Sequence, residues 1–175
     1  MVSFKPPETE MVLEGLKLFF PGLMAYAACS DLFTMRISNR LSAALTIGFI
    51  GMALVSGLSM PEFGLHVGAA ALVLVICFGL FTQGWIGGGD TKLAAATSLW
   101  LGFDYLLKYF FYVSLFGGVL TVIILLFRIS PLPLYLAQKA WVQRLHEPSA
   151  GVPYGIALAA AALVIYPQIG WMPTA

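Results

Sequence analysis

Charge is what this chain lacks. Nine basic and eight acidic side chains make up 10% of its 175 residues, against roughly 25% in an average soluble domain. So few charges cannot cover a soluble fold of this size, and a soluble monomer is excluded. The formal net charge of +1 gives no electrostatic footprint for nucleic acid. Two cysteines, Cys29 and Cys77, supply neither a disulfide framework nor a four-thiolate zinc site. Disorder is excluded by the opposite quantity, because 60% of the residues are apolar. A mean hydropathy of +0.91 points to one all-α, polytopic membrane domain over residues 1–175.

The gaps between charges locate the helices, since a spanning helix needs about 20 apolar residues. Leu41–Pro61, Val67–Gly89, Tyr109–Phe127 and Pro148–Ala175 carry no Asp, Glu, Lys or Arg; Leu93–Phe103 is a shorter gap. Six helices are expected, at about 11–30, 40–58, 63–83, 90–107, 109–128 and 153–171. The fourth reaches spanning length only if Asp104 lies at the far interface; otherwise it is a re-entrant or interfacial segment. Basic residues set the orientation. With both termini non-cytoplasmic, the inner loops hold Arg36, Arg40, Lys92, Arg128, Lys139 and Arg144, and the outer segments Lys5, Lys17 and Lys108. Most acids then fall outside, including Glu8, Glu10, Glu14, Glu62 and Asp104. The longest loop, about 129–152, is cytoplasmic and lies along the membrane surface. Ala25-Tyr26-Ala27 and Ala27-Ala28-Cys29 mimic processing sites. The acidic residues before them replace the basic region a cleaved signal needs, so no cleavage is expected. Cys29 and Cys77 are read as small buried residues.

The chain has three aspartates, Asp31, Asp90 and Asp104. On this topology Asp31 ends the first helix and Asp90 begins the fourth, at the same depth on the cytoplasmic side. Ionisable groups near the hydrocarbon boundary are costly and mark functional sites. Gly87, Gly88 and Gly89 precede Asp90 and let another backbone approach closely. A structural account makes Asp90 the cap of a helix starting at Thr91. It makes residues 31–40 a polar connector anchored by Arg36 and Arg40. That account leaves Asp31 unexplained. Two carboxyls in one low-dielectric pocket tend to hold a single proton between them. One then serves as base toward water and the other as acid toward an amide, with no metal and no covalent intermediate. His66 and His146 fall on opposite sides of the membrane without partners, and both are read as interfacial residues.

Gly87-Gly88-Gly89-Asp90, followed by Lys92-Leu93, resembles the Gly-x-Gly-Asp signature of type IV prepilin peptidases, which are intramembrane aspartic endopeptidases. Asp31 with Arg36-Ile37-Ser38-Asn39 is similar to the family's other catalytic segment, although Ser38 stands where Pro is common. Val152-Pro153-Tyr154-Gly155 resembles a third, weaker feature. The resemblance implies that Asp31 and Asp90 are catalytic, supported by Gly87, Gly88, Gly89, Lys92 and Asn39. It implies no cofactor and no metal. It implies a membrane-inserted prepilin substrate cleaved at the cytoplasmic face of the bacterial inner membrane, with Gly before the cut and Glu a few residues after it. Lys92 is then either an interfacial anchor or the residue that reads that Glu. The short length is similar to the small, peptidase-only branch associated with Flp (tight-adherence) pili. Larger relatives carry a Cys-x-x-Cys domain and N-methylate the product; this sequence has no such pair, and no methyltransferase activity is expected. A non-enzymatic channel or pilus-assembly scaffold, with Asp31 and Asp90 holding a cation, is the alternative.

Overall fold

The computed structural model describes residues 7–171, with side chains from residue 17 onward. Lys5 and the side chains of Glu8, Glu10 and Glu14 therefore lie outside the described residues. The described chain is helical without strands: α1 (Pro7–Thr34), α2 (Asn39–Ser56), α3 (Met60–Thr82), α4 (Gly88–Ile129), α5 (Leu134–Ala137), α6 (Ala140–His146) and α7 (Tyr154–Ile165), closed by a 3₁₀ turn at Tyr166–Gln168. Three helices, α2, α3 and α4, are long and apolar enough to cross a membrane, and Tyr154–Gln168 forms a shorter apolar helix. The outward faces are apolar as well: Val75, Leu107 and Ile129 are largely exposed, as lipid contact requires.

Local chemistry sets the helix ends. Ser38 caps α2 through a 3.1 Å bond from the Arg40 N–H. Gly57, at φ 67°, closes α2 in the left-handed conformation that glycine adopts freely. Ser59 and Glu62 form a reciprocal capping box at the start of α3.

The fourth and fifth expected helices are the two arms of α4. They meet at Gly102, where φ is 66° and ψ −179°, a region essentially reserved for glycine. The expected boundary near residue 108 is thus corrected to Gly102. Charge was the wrong guide there, because backbone freedom decides where the chain reverses. Asp31 accepts a hydrogen bond from Gly155 near the start of α7, while Trp171 beyond the end of α7 donates to the Trp100 carbonyl. The first arm therefore runs parallel to α7. The second arm runs back: Lys108 donates to Gln168, and Arg128 donates to the carbonyls of Ala150 and Gly151.

The first arm, residues 88–101, is about 21 Å long at 1.5 Å per residue, short of a roughly 30 Å hydrocarbon core. It survives because protein, not lipid, surrounds it: every residue from Leu93 to Gly102 is buried. Ala94, Ala95, Ala96 and Ser98 let neighbours approach closely. Trp100 fills the far end, donating from Nε1 to the Leu45 carbonyl at 2.9 Å against Phe20, Phe49 and Trp171.

On α1 the buried positions are Phe20, Met24, Ala27 and Asp31, a single helical face. That register turns Cys29 outward. Cys29 is exposed and Cys77 buried, so the expectation for Cys29 is corrected. His66 is buried within the bundle. Its Nδ1 lies 2.8 Å from the Leu99 carbonyl, and its ring packs where a Cβ at Gly102 would sit. The segment 130–152 folds back over the bundle end. Trp141 meets Phe33 edge-on, and Arg144 donates to the Phe33 carbonyl at 2.8 Å.

Candidate active site

Asp31 comes from the last turn of α1 and is 5% exposed. Its Oδ2 accepts the Gly155 N–H at 2.7 Å. Asp90 is the third residue of α4, whose N-cap is Gly87. The cap is thus three residues earlier than a helix starting at Thr91 would require. From that position the Asp90 carboxylate turns back over Gly87, where an added Cβ would lie 2.9 Å from its Oδ2. Thr91 fastens the turn from the other side, its N–H reaching the Gly87 carbonyl at 3.0 Å and its hydroxyl at 3.1 Å.

These two turns face each other across a cavity of about 310 Å³ lined by Asp31, Met35, Arg36, Ile37, Gly87, Gly88, Gly89 and Asp90. The structure thereby brings together five residues singled out in the sequence. The connector after α1 forms one wall. Its shape is fixed by the Ser30 hydroxyl, which donates to the Arg36 carbonyl at 2.9 Å. Met35, at φ 51°, is the non-glycine residue of the described chain held in the left-handed region; strain of this kind concentrates at functional sites. Gly89 forms the facing wall so closely that a Cβ there would lie 3.1 Å from the Ile37 Cβ.

Asn39 and Lys92 meet each other instead of the cavity. The Lys92 ammonium donates to Asn39 Oδ1 at 2.8 Å, tying the start of α2 to the start of α4. Lys92 borders a separate, mostly apolar groove between α2 and α3, with Ser42, Ala43, Ala70 and Ala95 among its walls. Among the described residues no group of three or more His, Cys, Asp or Glu is placed to hold a metal ion. Side-chain reasoning did not single out Met35 or Gly155 as site residues, and Arg36 and Ile37 stood out only within the string that resembles the family's other catalytic segment. The string ending in Gly155 carried the available signal.

Fold and cavity define a class: a multi-pass membrane protein with two inward carboxyl groups facing one cavity at the end of a helix bundle. Comparison supplies the family. The profile of the type IV leader peptidase family matches residues 18–122, and the chain belongs to that family. A relative from Bacillus subtilis (strain 168), a prepilin leader peptidase/N-methyltransferase, is 29% identical over 134 residues, covering 67% of this chain and 54% of the relative. The chain thus spans about half the length of that curated relative. No solved structure matches it. Asp31 and Asp90 both fall within the matched stretch, and Gly155 lies beyond it.

Proposed function

We propose that this protein is an aspartic endopeptidase that removes the leader peptide from type IV prepilins, with Asp31 and Asp90 as its catalytic pair. The observation that carries this reading is that the cavity holds two carboxyl groups, contributed by distant segments, and no other acid. A pair with one proton performs the whole hydrolysis. The ionised carboxylate takes a proton from water as the water oxygen bonds to the scissile carbonyl carbon. The protonated carboxyl gives its proton to the leaving nitrogen as the C–N bond breaks. The leader leaves with a new carboxylate and the pilin with a free amine.

The finer reading places this chemistry at the cytoplasmic face of the bacterial inner membrane. Arg36, Arg40, Lys92, Arg128 and Arg144 gather at the cavity end, and Lys17 and Lys108 at the other, which matches the positive-inside rule. The substrate of this reading is a Flp-type prepilin. Co-expression with a candidate prepilin, read as a mobility shift on a gel, tests the proposal. Wild type shortens the prepilin. Asp31→Asn and Asp90→Asn each accumulate in the membrane and leave it uncut, because Asn keeps the volume but cannot cycle a proton. Cleavage by either variant at the wild-type rate refutes the two-carboxylate mechanism.

A further inference from the structure

We propose that Gly155 is a positioning residue for this reaction: its backbone N–H holds Oδ2 of Asp31, so that the other carboxylate oxygen faces the cavity shared with Asp90. The inference rests on the peptidase reading above and adds a third chain segment, outside the family match, to the site.

Four observations carry it. The N–H of Gly155 is directed away from its own chain. The neighbouring Tyr154 N–H turns to the Val152 carbonyl and the Ile156 N–H to the Pro153 carbonyl, while Gly155 donates to Asp31, 124 positions away. Gly155 is buried, so without Asp31 its N–H would be an unpaired buried donor. A side chain has no room there: a Cβ on residue 155 would stand 2.8 Å from Asp31 Oδ2 and 2.7 Å from Ile37 Cδ1. Finally, α7 is a fixed platform. The hydroxyls of Tyr154 and Thr121 meet at 3.2 Å near its start. At its end the Tyr166 hydroxyl donates to the Lys17 carbonyl at 2.6 Å, and Trp171 donates to Trp100 at 3.0 Å. A carboxylate gripped at one oxygen by such a platform keeps the other in one place, and a misplacement near 1 Å costs about 100-fold in rate.

The test is the steady-state kinetics of prepilin cleavage by the detergent-purified full chain, comparing wild type, Gly155→Ala, Ile37→Val and the double variant. Gly155→Ala is expected to lower kcat by about 10- to 100-fold with KM within twofold, because substrate contacts are untouched. Ile37→Val removes one of the two collisions and leaves that with Asp31, so the double variant stays slow. A kcat within threefold of wild type, a loss confined to KM, or recovery in the double variant overturns the proposal and leaves Gly155 as a packing position. If Gly155→Ala does not accumulate, amide exchange at Gly155 in wild type and Asp31→Ala decides. Faster exchange in Asp31→Ala upholds the contact; equal rates refute it. Failure of the wild type to cleave any prepilin would instead overturn the peptidase reading, and the exchange result would stand apart from it.

Discussion

The three glycines before Asp90 differ in what a methyl group would meet, and the differences predict a rank order. At Gly88 an added Cβ comes 3.3 Å from the Phe81 ring, whose side chain is 44% exposed and free to swing outward. Gly88→Ala should therefore change cleavage by less than about threefold. At Gly89 the Cβ lies 3.1 Å from Ile37 Cβ, with the Ile37 backbone N and O at 3.4 and 3.5 Å. Backbone yields less readily than a side-chain tip, so the cavity wall itself must move. At Gly87 the Cβ stands 2.9 Å from Asp90 Oδ2 and displaces the carboxylate directly. Overpacking costs about 1–3 kcal/mol. If that cost falls on the reacting geometry, at about 1.4 kcal/mol per tenfold in rate, Gly87→Ala and Gly89→Ala lose about 5- to 150-fold in kcat/KM. Gly89→Val loses more, because its branched carbons press further into Ile37. The assay is the time course of prepilin cleavage, normalised to the amount of enzyme in the membrane. A Gly88→Ala variant slower than the Gly87→Ala and Gly89→Ala variants would refute the reasoning.

Two further outcomes bear on the site. If two carboxyls supply both proton transfers, chelators should leave cleavage intact; inhibition reversed by one added metal ion would favour a cation site instead. Lys92 is bonded to neutral Asn39, which leaves its charge uncompensated by that partner. If it reads an acidic substrate side chain, Lys92→Glu should cut processing by about tenfold, the equivalent of about 1.4 kcal/mol, and a prepilin with its Glu changed to Lys should recover part of the loss. Unchanged processing by Lys92→Gln would leave Lys92 as an interfacial anchor.

The helices were legible because burying charge in hydrocarbon is costly, so charges punctuate the apolar runs. That logic weakened where protein replaces lipid as the surrounding medium. The first arm of α4 is enclosed by its neighbours, so neither its length nor its end had to match a bilayer, and a glycine backbone conformation set the turn instead. The same enclosure drew His66 inward. For Cys29 the missing information was helical register: Phe20, Met24, Ala27 and Asp31 share the buried face, and position 29 lies off it. The register that turns Cys29 outward is the one that turns Asp31 inward.

Within the site, legibility followed the type of group involved. Asp31 and Asp90 stood out because a carboxyl near the membrane boundary is rare and demands a reason. Gly155 did not, because it meets Asp31 through a backbone N–H, a group every residue except proline carries. What distinguishes Gly155 is the absence of a Cβ where one would strike both Asp31 and Ile37. An absence acquires meaning only once the neighbours' positions are known. The same holds for Gly87 and Gly89, whose spacing from Asp90 is visible in the sequence while the facing Ile37 wall is not. The paired carboxyls can therefore be read as a chemical motif, but their placement around one cavity is a property of three segments packed together. Of these, the α1 end and the α4 start announce themselves by acids, and the α7 start by nothing more than a glycine after a proline and a tyrosine.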